Sequence, residues 1–210
     1  LNYSTEQQKN EIDYFVKSND NMYFSYVLAR GETILNEVPN FDSLESDIGC
    51  DVLDYLNKLG CSTKAGFIAN NYSQFGSDRM YFTEENAIKI DHIRSQIEDW
   101  REKYLSDDAY YYLLACLLQA VPFVSNISGV YGAYLKKWDK RALLDLTLKH
   151  PAIINNNKLN RAFNLDANEL VKHQRIDICY IDPPYNGRQY TSNYHLLDTI
   201  AYADNPHIKG

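Results

Sequence analysis

Two consecutive prolines close an alternating apolar run, and they limit what this part of the chain can fold into. The run occupies residues 176–185 and reads IDICYIDPPY. Its alternation predicts a buried β-strand over residues 176–181. The prolines remove two backbone N–H groups, which excludes a continuing sheet ladder and a helix at that point. The strand must therefore end in a rigid turn that presents Asp182, two free carbonyl groups and the ring of Tyr185.

A strand-and-helix pattern precedes this turn. Residues 161–165 (RAFNL) are compatible with a short strand, and residues 167–173 (ANELVKH) with a helix of one or two turns. Followed by the strand at 176–181, this order predicts two parallel strands that are adjacent or nearly so. Asp166 ends the first strand and Asp182 ends the second. Because ligands bind at the carboxyl ends of strands in open α/β sheets, both carboxylates are expected at one crevice.

The turn at residues 182–185 offers hydrogen-bond acceptors without a competing donor. The Asp182 carboxylate and the Pro183 carbonyl together match an exocyclic amino group with two hydrogens, such as N6 of adenine. Pro184 stiffens the turn, and the ring of Tyr185 can stack on the same planar ligand. The structural alternative is a strand-ending type I turn in which the aspartate caps and the tyrosine packs.

The first half of the chain shows helical periodicity. Residues 41–60 carry apolar side chains at helical spacing and end in glycine, which predicts one helix. Thr83 is predicted to cap a second helix, and a third is predicted to begin near Ser106 or Asp107 and to run towards Pro122. The apolar face predicted for the second helix consists of Ala87, Ile90, Ile93 and Ile97.

Charge is divided unevenly along the chain. The net charge is −7, but residues 1–119 contain 10 basic and 20 acidic side chains, whereas residues 120–210 contain 11 and 8. The total argues against a nucleic-acid-binding protein. The division nevertheless directs a search for a polyanion site to the second half. An acidic solvated face beside a nearly neutral half is the other interpretation.

Residues 125–138 (SNISGVYGAYLKKW) have suitable chemistry for such a site. Tyr131 lies between two glycines, and Lys136 and Lys137 precede a tryptophan. This pattern predicts a glycine-containing hairpin or loop. Interleaved basic and aromatic side chains suit phosphate contacts and base stacking. The alternative is a surface turn whose lysines extend their stems along apolar neighbours.

Cysteine usage favours a reducing compartment. The four cysteines include no CxxC pair, and no histidine stands at zinc-finger spacing, so no metal site is expected. Cys116 and Cys179 lie in apolar runs and are expected to be core thiols, which is typical of the cytoplasm. The longest mostly apolar run is too short to cross a bilayer, so no membrane association is expected.

These motifs resemble those of DNA adenine N6-methyltransferases of the Dam-like class found in restriction–modification systems. IDICYIDPPYNGRQY, with SNYHLLDTIA after it, resembles the fourth motif of that family and its following helix. FNLDANEL is similar to the family segment whose acidic residue contacts the adenosine part of S-adenosylmethionine. The loop at residues 125–138 resembles the family's loop near the DNA. SDRMYFTEENAIKIDHIR is similar to a helical insert in restriction–modification relatives.

The resemblance implies a site-specific DNA methyltransferase. It would transfer a methyl group from S-adenosylmethionine to N6 of an adenine flipped out of double-stranded DNA. Asp182, Pro183, Pro184 and Tyr185 would be the catalytic residues, and Asp166 would contact the cofactor. A cognate restriction endonuclease is the implied partner system.

DNA contacts are expected on both sides of the strand-and-helix pattern. In the loop these are Tyr131, Lys136 and Lys137. Arg188, Gln189 and Tyr190 follow the proline turn at once and are candidates for contacts to the target strand, with a solvated loop as the alternative.

The fold implied is α/β, with part of a Rossmann-like S-adenosylmethionine-dependent methyltransferase sheet and a large helical insert or recognition region. Residues 1–105 would form the helical region, residues 106–150 a helix and the DNA-facing loop, and residues 151–210 part of the catalytic domain. The family's FxGxG turn is not found, because none of the nine glycines forms a GxG. We expect this motif upstream, in a longer protein.

Three functions stay open at this point. Aspartate in the first position of DPPY and the following RQY…NYHLL favour adenine in DNA. Related turns serve methylation of other amino groups, in N4-cytosine or RNA bases. The missing glycine turn favours a recognition fragment that binds DNA without turnover.

Overall fold

The structure, a computed structural model, describes residues 14–59, 65–183 and 190–208. These residues form a helical body with a small parallel sheet at one side. In chain order the elements are β1 (Lys17–Asn19), α1 (Tyr23–Leu28), a π-helical turn (Ala29–Thr33), α2 (Asp42–Ile48), α3 (Val52–Lys58), α4 (Phe67–Tyr72), α5 (Glu84–Arg101), α6 (Asp107–Ala120), 3-10 turns at Val121–Val124 and Arg141–Leu143, β2 (Arg161–Phe163), α7 (Ala167–Leu170), a 3-10 turn at Val171–His173 and α8 (Tyr190–Tyr202). Across these ranges, every helix is too short or too polar to cross a membrane.

Helices α5 and α6 form the centre of the core. Both begin as predicted: the side chains of Thr83 and Ser106 accept hydrogen bonds from Asn86 N and Ala109 N, each at 3.2 Å. The predicted apolar face of α5 is confirmed, since all four of its side chains are fully buried. α6 is apolar almost all round and is buried accordingly.

A glycine allows the π-helical turn to pack closely against α6. A Cβ atom at Gly31 would overlap Ala115 Cβ and the carbonyl oxygen of Tyr111, so a side chain there requires the backbones to separate. This close approach connects the first helices of the chain to the centre of the core. The predicted core thiol Cys116 lies on α6 and is 1% exposed. Burial raises its pKa to about 12.

The single helix predicted for residues 41–60 is wrong, because two short helices take its place. α2 ends at Ile48, and Gly49 after it has a φ of 74°, a left-handed conformation that favours glycine. Asp51 then begins α3 by accepting a hydrogen bond from Asp54 N at 2.9 Å. Helical spacing of apolar residues continues across the break, which explains why periodicity alone missed it.

The sheet consists, within the described ranges, of β1 and β2. They are parallel, with Lys17 opposite Arg161 and Asn19 opposite Phe163. The strand predicted at residues 161–165 is thus confirmed in shorter form, and the short helix after it is confirmed as α7. β1 was not predicted, because the first 60 residues read as helical. Helices with a small parallel sheet agree with the α/β class, whereas a Rossmann-like sheet stays a prediction.

The strand predicted at residues 176–181 is wrong for this structure. The segment has no regular secondary structure, with a bend at residues 177–178, and it pairs with no strand among the described residues; Ile178 and Tyr180 are each 90% exposed. Cys179 is exposed as well, so its prediction as a core thiol is also wrong. A strand needs a neighbouring ladder and an apolar surface to cover it, and β2 pairs with β1 instead.

An irregular stretch from residue 144 to residue 160 crosses the helical body, where side-chain amides hold it together with Lys89, whose Nζ donates to Leu146 O at 2.8 Å. We call Asn36, Asn57 and Asn86 the asparagine anchors. Asn86 donates to Leu144 O at 2.8 Å and accepts from Leu146 N at 2.8 Å. Asn57 exchanges two bonds with the backbone of Leu148, and Asn36 binds the backbone of residues 156–158. The stretch therefore reaches β2 in a defined position without regular secondary structure.

Candidate functional site

The proline turn lies between two parts of the chain with very different surroundings. Asp182 and Pro183 are exposed at the end of the irregular segment at residues 176–181. Pro184, Tyr185, Arg188 and Gln189 lie outside the described residues. On the far side, α8 begins at Tyr190 and packs into the helical body.

Helix α8 is fastened to the rest of the body at its middle and at its end. The Asp198 carboxylate accepts a hydrogen bond from Phe24 N at 2.8 Å, so a side chain of α8 caps the start of α1. The buried guanidinium of Arg94, on α5, donates to the last carbonyls of α8, at 2.9 Å to Ile200 O and 3.3 Å to Ala201 O. Asp198 and Arg94 thus satisfy backbone groups at the start of α1 and at the end of α8, respectively.

Burial and neighbouring charges shift the pKa values of the carboxyl groups around α8. Burial raises the pKa of Asp198 above its ordinary value, against the lowering effect of the Phe24 N–H. Burial also acts to raise the pKa of Glu98, but hydrogen bonds from Arg94 and Tyr110 outweigh it and hold that pKa below its ordinary value. Arg94 Nη1 lies 2.8 Å from Glu98 Oε2. The buried charge of Arg94 is thereby compensated.

The loop at residues 125–138 is closed by one asparagine at its base. The Asn126 amide donates to Met80 O at 2.9 Å and to Leu135 O at 3.0 Å, and its oxygen accepts from Asp139 N at 2.9 Å. Ile127 and Tyr134 form an antiparallel bridge. The predicted hairpin-like loop is confirmed in outline.

Tyr131 does not lie on the surface of this loop, so its prediction as a DNA contact is wrong. It is 2% exposed, and its hydroxyl is 2.9 Å from that of Ser125. Its backbone N–H donates to Asn193 O at 2.7 Å, and its carbonyl accepts from the Tyr81 hydroxyl at 3.1 Å. Burial raises the pKa of Tyr131. A ring in this position cannot stack on a base.

The two lysines of the loop are exposed, as a phosphate contact requires. Lys136 Nζ lies 4.6 Å from the centre of the Tyr134 ring and 3.4 Å from its hydroxyl. Lys137 is the neighbouring basic side chain. Tyr190, in the first turn of α8, is half-buried. Contacts of these three residues with DNA stay predictions.

Asp166 is exposed at the carboxyl end of β2 and caps α7. Its Oδ1 accepts a hydrogen bond from Asn168 N at 2.7 Å. Asn19, on β1, holds the preceding residue through bonds of 3.1 and 3.2 Å with the backbone of Leu165. The expected convergence of Asp166 and Asp182 rested on neighbouring parallel strands. The structure does not provide that support, because Asp166 follows β2 but no strand precedes Asp182 in the described part of the chain.

Sequence reasoning missed the residues that position the site. Arg94 had a detectable signal: it falls between Ile90 and Ile97 on the apolar face of α5, where an unpaired charge is costly. A buried arginine there indicates a fixed acceptor, which the carbonyls of α8 provide. Asn19 and Asp198 had no comparable signal, since each acts across elements distant in the chain.

Comparison with known proteins adds independent findings. The family model described as D12 class N6 adenine-specific DNA methyltransferase matches residues 4–210. Type II methyltransferase M.FokI of Planomicrobium okeanokoites is 51% identical over 94% of this chain and 31% of its own length. Modification methylase StsI of Streptococcus sanguinis is 47% identical over 94% of this chain and 30% of its own length.

The chain covers a larger share of a third relative. Type II methyltransferase M.NlaIII of Neisseria lactamica is 41% identical over 93% of this chain and 56% of its own length. The chain thus spans only part of each of these three relatives. No solved structure matches the chain.

Proposed function

The chain belongs to the D12 class of N6 adenine-specific DNA methyltransferases, and we propose that it carries the methyl-accepting site of an enzyme that methylates N6 of adenine in double-stranded DNA. The observation that carries this proposal is the sequence IDPPY at residues 181–185, with Asp182 and Pro183 exposed ahead of a firmly held helix. The relatives named as modification methylases support a role in a restriction–modification system with a cognate endonuclease. Such an enzyme would act in the cytoplasm.

Asp182 and Pro183 would prepare the adenine amino group for reaction. The N6 lone pair is delocalised into the ring, which makes this nitrogen a poor nucleophile. Two acceptors that bind both N6 hydrogens favour a more tetrahedral nitrogen, with its lone pair directed out of the ring plane. The contribution of these residues is positioning and electrostatic stabilisation, so no covalent intermediate with the protein is required.

The target base must leave the duplex before it can reach these acceptors. Extrusion costs a few kcal/mol, and stacking on Tyr185 would return roughly 1–3 kcal/mol. Lys136 and Lys137 would neutralise phosphates near the site, and Arg188, Gln189 and Tyr190 would contact the target strand. Phosphate contacts hold the DNA in register without reading its sequence.

Asp166 would hold the adenosine end of S-adenosylmethionine, the group that supplies the methyl. Its carboxylate is exposed at a strand end, and Oδ2 meets no donor among the described residues, which fits a hydroxyl donor such as a ribose. No GxG turn occurs in the chain to approach the methionine end closely. The fit of the residues present is therefore to one end of the cofactor.

The direct test is identification of the product. The natural full-length protein is incubated with S-adenosylmethionine and duplex DNA, and the nucleosides are analysed by mass spectrometry. N6-methyladenine is the expected product, and its loss in Asp182→Ala would tie the reaction to the turn. N4-methylcytosine, or methylation of RNA in place of DNA, would overturn the assignment to adenine.

A second candidate function is DNA recognition without turnover, which the absence of a GxG turn favours for residues 1–210 alone. A cofactor held at one end loses many contacts yet still costs most of the association entropy. Calorimetry should therefore detect weak or no S-adenosylmethionine binding by residues 1–210 and clear binding by the full-length protein. In the full-length protein, Asp166→Ala should weaken cofactor binding more than DNA binding. Tight cofactor binding by residues 1–210 would contradict this view of the cofactor site.

A further inference from the structure

We propose that Tyr131 is a positioning residue that fixes the first turn of α8 relative to the DNA-facing loop, and through α8 sets the place of the proline turn. The inference rests on the proposed function, because it concerns the same site. It gives a role to a residue that is buried and therefore cannot contact DNA itself. Residues 125–138 are called the DNA-facing loop below.

Tyr131 joins three parts of the molecule through its three polar groups. Its N–H donates to Asn193 O in the first turn of α8, at 2.7 Å. Its carbonyl accepts from the Tyr81 hydroxyl at 3.1 Å, and Tyr81 belongs to the connection before α5. Its own hydroxyl lies 2.9 Å from that of Ser125 at the base of the loop. A residue bonded in three directions and 2% exposed has little freedom to shift.

The next residue extends the contact between the loop and α8. A Cβ atom at Gly132 would lie 3.7 Å from Asn193 Oδ1, which is an ordinary van der Waals distance. The loop backbone thus rests against Asn193 over two consecutive residues. Asn193 is the fourth residue of α8, and it follows the DPPY motif by eight residues in the sequence. A displacement of the loop here would move the start of α8.

The rest of α8 cannot take up such a displacement by moving as a whole. Asp198 ties its middle to α1, and Arg94 ties its end to α5. The ring of Tyr202 stacks on that of Tyr23 with centroids 4.1 Å apart. The first turn of α8 contacts the loop through Asn193, so a shift of the loop would affect this turn first.

This connection links DNA binding to catalysis. Lys136 and Lys137 project from the same loop, so phosphate binding there stabilises the loop in its place against α8. Reaction geometry is sensitive to small displacements: a misplacement of about 1 Å can cost about 100-fold in rate. Tyr131 should therefore affect the rate of methyl transfer, whereas the two lysines should affect DNA affinity.

The test measures both quantities in the full-length enzyme. Tyr131→Ala should lower the single-turnover methylation rate at saturating DNA by about 10-fold to 100-fold, while the Kd for the same duplex changes by less than about 3-fold. Lys136→Ala with Lys137→Ala should raise the Kd for the duplex and flatten its salt dependence, which Tyr131→Ala should not do. A merely structural role for Tyr131 would lower DNA affinity together with the rate.

Conservative variants decide the case if Tyr131→Ala fails to fold. Tyr131→Phe keeps both backbone contacts and should retain the rate within about 2-fold, whereas Tyr81→Phe removes the donor to the Tyr131 carbonyl and should lower the rate measurably. Tyr112→Phe is the matched control, because it removes a buried hydroxyl that contacts His150 and not α8. An unchanged rate in Tyr81→Phe, or equal rates in Tyr131→Ala and wild type, overturns the proposal.

A readout without turnover separates this proposal from the proposed function. With 2-aminopurine at the target adenine, fluorescence reports base extrusion in the DNA complex. Tyr131→Ala should lower this signal at saturating DNA, and Tyr112→Phe should not. If the wild-type protein forms no N6-methyladenine, the proposed function fails. If it does, and the extrusion signal is unaffected in Tyr131→Ala, only the positioning role fails.

Discussion

Helix α6 and the irregular segment at residues 176–181 are both rich in apolar side chains but have opposite surroundings. Leu113 and Leu117 on α6 are fully buried, whereas Ile178 is 90% exposed. A helix satisfies its own backbone and needs only one apolar partner surface. A strand needs a neighbouring ladder as well. The body can therefore form from local sequence, and the segment depends on structure that the described residues do not provide.

This difference in burial corresponds to a difference in the stabilisation that each apolar side chain contributes. Complete burial of a leucine or isoleucine side chain stabilises a protein by about 1.5–3 kcal/mol relative to its exposure. The body gains this at every position of its core, and the segment gains almost none of it. Apart from the positioning role proposed for Tyr131, we therefore expect substitutions in the body to change stability, and substitutions at the turn to change activity.

The largest expected effect is at the turn. Asp182→Ala in the full-length enzyme should lower the methylation rate by about 100-fold to 1,000-fold, because an acceptor aimed at the reacting group is lost. The free energy of unfolding should stay within about 0.5 kcal/mol of wild type, since the side chain is exposed. Rate assays and urea denaturation measure the two quantities. A large loss of stability would contradict the separation of the two regions.

The next effect compares one core residue with one residue of the segment. In residues 1–210, Leu117→Ala should lower the free energy of unfolding by about 2–5 kcal/mol, because it leaves a cavity in the core. Ile178→Ala should change it by less than about 0.5 kcal/mol. Urea denaturation of both variants tests this directly. Equal losses would mean that the segment is buried in solution.

A smaller effect distinguishes two helix caps. Thr83→Ala removes the cap of the 18-residue α5 and should cost about 1 kcal/mol. Asp166→Ala removes the cap of the four-residue, exposed α7 and should cost less than about 0.5 kcal/mol. Thermal or urea unfolding in residues 1–210 compares them. A larger cost at Asp166 would indicate a structural role that outweighs its proposed cofactor contact.

The smallest effect concerns pH and is confined to the helical body. Burial raises the pKa of Asp91, although Ile68 N and Ala69 N each donate to its carboxylate at 2.9 Å. The folded state therefore holds this proton to higher pH than the unfolded chain, whose ordinary value is 3.8. Wild type should lose stability relative to Asp91→Asn as pH rises from 3.8 through the raised pKa, with no further change above it. A relative gain over this window, in urea denaturation at several pH values, would show a lowered pKa instead.

The features of the fold that could be predicted from the sequence mostly depend on residues close together in the chain. The caps at Thr83 and Ser106 and the buried face of α5 were predictable because they depend on residues within a few positions of one another. The break at Gly49 was missed because apolar spacing continues through it. β1 and the pairing of β1 with β2 were missed because the two strands are more than 140 residues apart.

Chemical motifs predicted the family better than they predicted geometry. DPPY needs no tertiary structure to be recognised, and the family match agrees with it. The burial of Tyr131 was not predictable, since a tyrosine between two glycines is equally compatible with a surface loop. Its partners, Asn193 and Tyr81, lie 62 and 50 residues away in the chain. Such contacts are decided by packing between elements, which a single sequence does not display.

The asparagine anchors have a consequence for behaviour in different solutions. Their amides are neutral at every pH at which the protein stays folded, and ionic strength does not screen a bond between two uncharged groups. The hydrogen bonds of these amides to the backbone of residues 144–158 should therefore be the same in dilute buffer and in concentrated salt. Binding through Lys136 and Lys137 weakens steeply as salt rises. Salt should thus release the DNA while leaving the irregular stretch that leads to β2 in place.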